Sequence, residues 1–260
     1  MSLKKHIDSY GNYYEFNEIK NSTPTIFIHG VGLDNTMWYP QKEYFHNKSV
    51  IFYDLLNHGQ SISGYRDLSF AIYSNQLLNI INELKLEKIN VVGFSIGALI
   101  AQHFTQKYYA KINKLVLIGS VYKRSEKEIE TVQNRYRDTV NGKSITIDSI
   151  KRWFSESYLN NNPKIYDFFY NLLEKKKNED FLPAYKIFVN SDNYQINYNN
   201  FNIPTLVMTG ENEVGSTPLM SEGISKEIKN SDLYIIRNAK HGATIEQAET
   251  VNKKIYKFLF

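Results

Sequence analysis

The chain has 260 residues, a formal net charge of +4 at pH 7, 42% hydrophobic and 22% charged residues, and no cysteine. That length fits one large domain or one domain carrying an insertion, and the balance is that of a globular protein rather than a disordered, collagenous or coiled-coil one. Without cysteine there is no disulfide, no thiolate metal site, no iron–sulfur cluster and no Cys nucleophile.

The chain opens Met1-Ser2-Leu3-Lys4-Lys5-His6, with no apolar stretch behind the basic residues, which argues against a secretory signal. Lys4 to Asp8 and Tyr13 to Ile19 flank a Tyr10-Gly11-Asn12 turn and read as an antiparallel hairpin. Thr25–Ile28 and Val50–Tyr53 are buried-strand runs. Ser69 to Leu84 places Ile72, Leu77, Ile80, Ile81 and Leu84 at helical spacing. Ile89–Val92 is the next strand, Ile96 to Lys107 the next helix, and Leu115–Ile118 a further strand. Thr205–Met208 and Leu233–Ile236 follow near the end, with helices over Pro218 to Ile228 and Glu246 to Phe258. Alternating helices and continuously apolar strands predict an α/β fold, a mostly parallel sheet with helices on both faces.

From Val121 to Tyr185 there are no strand runs, only polar and aromatic helical stretches punctuated by Pro163 and Pro183. That is too long for a bare loop, so a helical cap over residues 122–185 is expected, inserted into a core made of 1–121 and 186–260. Twelve of the 50 residues from 151 to 200 are aromatic, against 14% of the chain. Most should pack the insertion onto the core, with three or four lining a pocket. Arg124, Arg135, Arg137 and Arg152 are candidate partners for a substrate carboxylate, although a surface position is the default for each. Lys175-Lys176-Lys177 runs directly into Glu179-Asp180 and reads as a solvated helix end, so no nucleic-acid partner is expected. No apolar run approaches the roughly 18 residues of a membrane span, which leaves a cytoplasmic protein as the expectation.

The strongest local signal is Gly93-Phe94-Ser95-Ile96-Gly97, directly after a strand and opening a helix. Such a turn strains the serine and exposes its hydroxyl, and the flanking glycines avoid clashes in the tight bend. A serine hydroxyl needs a base. Of six histidines, His6 and His46 read as surface residues and His103 as a packed or surface one. His29 and His58 each precede a glycine in a turn. His241, on the loop after the last strand, is the candidate base. The acid that would orient it lies in the loop after Thr205–Met208, where Glu211 and Glu213 compete.

These features together resemble the α/β-hydrolase superfamily over essentially the whole chain. The Ser95 turn, the His29-Gly30-Val31-Gly32 loop and Ala239-Lys240-His241-Gly242 all fit in place and order. Asp54-Leu55-Leu56-Asn57-His58-Gly59-Gln60-Ser61 is similar to the family's D-x-x-G-H-G-x-S segment, with Asn57 where a glycine is usual. The family's acid loop spacing matches Gly210, Glu213 and Pro218, which puts Glu213 in the Asp position. The resemblance implies an α/β-hydrolase fold with Ser95 as nucleophile, His241 as base and Glu213 as acid. It implies an oxyanion hole from the backbone N–H groups of Val31 and Ile96, close approach through Gly30, Gly32, Gly93 and Gly97, and a bracing role for His29. Residues 93–102 look most like small carboxylester and lactone hydrolases, including 3-oxoadipate enol-lactonase-like proteins. The activity implied is hydrolysis of a small carboxylic ester or lactone through an acyl-enzyme. The alternatives are a C–C or amide hydrolase, a menaquinone-type lyase (for which Ala98-Leu99-Ile100 lacks the usual Arg), or a small-molecule binder with little turnover. Neither a metal-ligand spacing such as H-E-x-x-H nor a Gly-rich nucleotide loop is present, so no cofactor and no metal are expected.

Overall fold

The computed structural model describes residues 3–260; Met1 and Ser2, the start of the N-terminal segment read above, lie outside the described residues. Strands β1 (Lys4–Ile7) and β2 (Tyr13–Asn17) pair antiparallel. Each is shorter than its sequence run. Asp8 ends β1, because its carboxylate turns back to accept the N–H groups of Tyr10 and Asn12 at 2.9 and 2.8 Å. Gly11 follows at φ +78°, a conformation that favours glycine.

Next in the chain come β3 (Thr25–Ile28), α1 (Tyr39–Tyr44), β4 (Val50–Tyr53), α2 (Phe70–Glu83), β5 (Ile89–Phe94), α3 (Ile96–Tyr108) and β6 (Ile112–Ile118). The strands form one eight-stranded sheet in the order β1-β2-β4-β3-β5-β6, continued by β7 (Thr205–Gly210) and β8 (Ser231–Ile236). All neighbours from β4 onward are parallel, and β2 meets β4 antiparallel. The side-chain period of 2 sends alternate strand residues to opposite faces. Ile26, Ile28, Val91, Leu115 and Leu117 pack with Leu77, Ile80 and Ile81 of α2 and Ile100 and Phe104 of α3. Phe27, Val92, Val116 and Met208 pack on the other side with Trp38 and with Val251 and Ile255 of the C-terminal helix. Ser69 starts α2 by accepting the Ile72 N–H.

Between β6 and β7 lie α4 (Glu126–Val140), α5 (Thr146–Trp153), α6 (Glu156–Asn161), α7 (Pro163–Glu174) and α8 (Asn178–Val189). Pro163 sits at the first position of α7, where its missing N–H costs nothing. Pro183 does not punctuate the chain as expected: it lies inside α8, which runs on to Val189. The carbonyl its missing N–H would have served, that of Glu179, instead accepts from the Arg66 guanidinium at 2.7 Å. The chain ends with α9 (Pro218–Glu227), α10 (Ala243–Glu246) and α11 (Ala248–Leu259). The single helix expected over 246–258 is thus a short α10 and a separate α11, parted at Gln247, whose φ of −125° is not helical. Among the described residues no helix is long and apolar enough to cross a membrane.

Candidate active site

The residues singled out above converge where β3, β5, β7 and β8 end. Ser95 turns the chain from β5 into α3 with φ 57° and ψ −121°, a strained conformation for a non-glycine residue. Its N–H donates to the Ile118 carbonyl of β6 at 2.9 Å, which pins the turn to the sheet. A Cβ on Gly93 would collide with the Gly97 carbonyl, and one on Gly97 with the Ile28 carbonyl, so both glycines are demanded by backbone contact. Because Ile96 is the first residue of α3, its N–H has no intrahelical acceptor.

The loop after β3 faces this turn. Gly30 packs against the Phe94 ring, and Gly32 has φ +75°. Two imidazoles hold the loop. His29 Nε2 accepts the Leu55 N–H at 2.9 Å, which leaves Nδ1–H to donate to the Gly30 carbonyl at 2.8 Å. His58 Nε2 accepts the Gly32 N–H at 3.0 Å, and its Nδ1–H donates to the Leu56 carbonyl at 2.9 Å. Burial keeps both neutral. It lowers His29 to about 4, and, helped by the charge of His29, lowers His58 to about 3. Among the described residues the N–H groups of Val31 and Ile96 have no hydrogen-bond partner. Asn57 has φ 64°, so asparagine supplies the left-handed turn that glycine would.

His241 follows β8, and its ring lies 4.8 Å from that of Phe94 between centroids. Its Nδ1 is 3.2 Å from Glu213 Oε2. At that distance Oε2 is in ion-pair range of the imidazole but makes no hydrogen bond, whereas Oε1 accepts the N–H groups of Gly215 and Ser216 and lies 3.3 Å from Arg152 Nη1. Burial by itself pushes the Glu213 carboxyl up. The neighbouring His241 imidazole, the Arg152 guanidinium and the Ser216 N–H outweigh that and hold it at about 2. Glu211 is exposed and accepts the Asn238 N–H, so the structure brings Glu213 and not Glu211 to the imidazole. Of the other histidines, His6 and His46 are exposed, and His103 stacks on Phe70 with centroids 4.1 Å apart.

A family model of the alpha/beta hydrolase fold matches residues 23–248. The chain belongs to the α/β-hydrolase fold family. It is an enzyme, a hydrolase. The (E)-2-((N-methylformamido)methylene)succinate hydrolase of Acinetobacter baylyi is 28% identical over 254 residues, covering 95% of this chain and 93% of that protein. The 3-oxoadipate enol-lactonase 1 of the same organism is 22% identical, covering 90% and 88% of the two chains. The enol-lactonase of Burkholderia xenovorans has the same fold, with a TM-score of 0.84 at 19% identity over 95% of this chain and 96% of that one.

In this hydrolase Ser95 and His241 border one cavity of about 340 Å³, roofed by the helices between β6 and β7. Trp153, Phe181, Tyr185 and Phe188 line it, four of the twelve aromatic residues in the 151–200 stretch. So do Arg124, Arg135 and Arg152, which corrects their expected surface position; Arg137 alone of the four is exposed. Arg124 is 8% exposed and fully engaged by Asp192, Ser191 and the carbonyls of Phe188 and Val189. Arg135 donates to Ser149 Oγ at 2.8 Å and to the Ile145 carbonyl, and among the described residues no carboxylate lies within ion-pair distance of it. Lys176 also departs from the solvated helix end expected for it. Its ammonium bonds the Leu173 carbonyl, sits 4.8 Å from the Phe181 ring centroid and lines the cavity, and burial lowers its pKa.

Two groups at the site, Ser216 and Gly119, carry no signal in the sequence, and a third, Arg152, is marked there only as a candidate partner for a substrate carboxylate. Ser216 Oγ lies 3.3 Å from His241 Nδ1, Gly119 at φ +60° leaves room for the ring, and Arg152 reaches Glu213 from α5. Each is defined by a tertiary contact rather than a local pattern. Among the described residues no three histidine or carboxylate side chains converge as a metal site.

Proposed function

We propose that the enzyme is a serine hydrolase that cleaves a small carboxylate-bearing ester or lactone through an acyl-enzyme. The observation that carries this reading is the strained Ser95 turn opening on the same cavity as a His241–Glu213 pair, beside two unpartnered backbone N–H groups. Ser95 Oγ attacks the substrate carbonyl carbon while His241 Nε2 takes its proton. Glu213 holds the imidazole by Nδ1–H and offsets the positive charge that develops on it. The Val31 and Ile96 N–H groups donate to the oxyanion. His241 returns the proton to the leaving oxygen, and water, deprotonated by the same imidazole, releases the acid and restores Ser95. The helices between β6 and β7 act as a cap that excludes water and selects the substrate.

The cavity's charge supports an anionic substrate. Among the described residues Arg135 and Lys176 stand in a largely apolar wall and form no ion pair, while the lining's one carboxylate, Glu128, is engaged by Ser125; a guanidinium there favours a carboxylate through paired, charge-assisted hydrogen bonds. A second reading is amide cleavage, favoured by the 28% identical Acinetobacter protein, whose name denotes a formamido-substituted succinate. The same nucleophile, base and oxyanion donors serve either bond.

The test is a panel of matched substrates on purified protein: 4-nitrophenyl acetate against the mono-4-nitrophenyl ester of succinate, then lactones and N-acyl enamines with and without a carboxylate. The carboxylate-bearing member of each pair should have the higher kcat/KM, by about 10-fold for one charge-assisted hydrogen bond in a partly buried site. Equal or lower turnover of the anionic members contradicts the substrate class. No turnover of any member contradicts the proposed ester, lactone and amide chemistry.

A further inference from the structure

The end of α5 grips the two loops that present Glu213 and His241. The Trp153 carbonyl accepts the Gly242 N–H at 2.7 Å. The Lys151 carbonyl accepts from Lys240 Nζ at 3.2 Å, and the Ser155 N–H donates to Glu246 at 3.1 Å. The Phe154 ring lies so close over Gly242 that a Cβ there would collide with it. Between these contacts Arg152 points at the acid loop. Its Nη1 is 3.3 Å from Glu213 Oε1, and a Cβ on Gly215 would stand 2.5 Å from that nitrogen, so the glycine makes room for the guanidinium. Among the described residues no other Lys or Arg lies within ion-pair distance of Glu213.

The contact has a chemical reason. A glutamate has one more rotatable bond than the aspartate usual at this position, so its carboxylate must be fixed to aim at the imidazole. Oε1 is held by the N–H groups of Gly215 and Ser216 and by Arg152, and this leaves Oε2 free of hydrogen bonds and facing His241 Nδ1 at 3.2 Å. We infer that Arg152 is a positioning residue: carried by an inserted helix, it locks the Glu213 carboxylate toward His241, so that the α5 segment is a fixed strut of the site and not only a lid over it. The inference rests on the reading of Ser95, His241 and Glu213 as one catalytic set.

The test is a double-mutant cycle on 4-nitrophenyl acetate, a neutral ester that a carboxylate anchor would not touch. Arg152→Met should lower kcat about 10-fold with KM within about twofold, and Arg152→Lys should restore part of the loss. In a Glu213→Gln background Arg152→Met should change kcat by less than about twofold, because the group it positions is already disabled. A loss confined to KM of the succinate monoester makes Arg152 a substrate anchor and overturns the inference. So does an undiminished loss in the Glu213→Gln background. Thermal unfolding of each variant, unchanged in midpoint, excludes general misfolding as the cause; if Arg152→Met does not fold, Arg152→Lys and Arg152→Gln carry the cycle. Should Ser95→Ala keep turning over ester, the catalytic reading fails and the positioning contact is read instead from the proton spectrum. The downfield His241 Nδ1–H resonance of the wild type should then shift or vanish in Arg152→Met, and an unchanged resonance overturns the inference.

Discussion

At the residue scale, Glu213 differs from Glu211 in surroundings rather than in chemistry. Glu213 is buried against His241 and held ionised by it, while Glu211 is exposed and caps a turn at Asn238. Glu213→Gln should therefore lower kcat/KM by about 100-fold or more, since an amide cannot offset the imidazolium charge, and Glu211→Gln should change it less than about threefold. Steady-state ester hydrolysis measures both, and the reverse order would move the acid to Glu211. Ser95, His241 and the two candidate acids were legible in the sequence because each sits in a short pattern tied to the end of a strand. Ser216 carries no such pattern, and the sequence marks Arg152 only as a candidate partner for a substrate carboxylate, because what defines both is proximity to Glu213 and His241 across the fold. Arg135 is likewise a candidate cation in the sequence with a surface default, and Lys176 reads there as a solvated helix end; only the packing of α4 and of the turn after α7 over the sheet brings both to a cavity.

At the element scale, the strands from β3 onward were legible because a strand buried on both faces is apolar without interruption. The helices α2 and α3 follow from their spacing. Harder were elements whose signals conflict. The short α1 carries Pro40 in its first turn and buries only Gln41, so no apolar stripe marks it. Pro183 reads as a breaker, yet α8 absorbs it because Arg66 satisfies the carbonyl left free. The inserted helices are continuous with the core: Ile150, Phe154, Phe169 and Leu173 belong to the cluster behind Phe27 and Val92, and Ala184 and Ile187 to the one on the opposite face. That continuity fits α5 better as a strut than as a hinged flap.

At the scale of the whole molecule, the buried imidazoles that brace the β3 loop tie stability to pH. In the unfolded chain His29 and His58 protonate near 6.5, while in the folded chain burial keeps them neutral down to about 4 and 3. Between these limits the unfolded state binds more protons, so stability falls as pH falls. Asp54 opposes this. Burial raises its carboxyl from 3.8 to about 6, so between those values the folded state binds the extra proton and its share of stability rises as pH falls. His103, which burial lowers from 6.5 to about 4, acts in the same direction as His29 and His58. Three imidazoles against one carboxyl leave a net loss of about 2 kcal/mol per pH unit between pH 6 and pH 4.5. Glu213, lowered from 4.5 to about 2, adds a further loss below pH 4.5. Urea unfolding at pH 7, 6 and 5 should show the decline, and His58→Gln should roughly halve it because two imidazoles, His29 and His103, then face one carboxyl. A wild-type slope in that variant would contradict the neutral, buried state of His58.

The proposed mechanism rests on Ser95 as the nucleophile, and covalent labelling tests that most directly. A fluorophosphonate should add one phosphonyl group per chain, located on the peptide containing Ser95, with parallel loss of ester turnover; Ser95→Ala should take no label and turn over nothing. Label on another residue, or ester hydrolysis by Ser95→Ala at the wild-type rate, would contradict it.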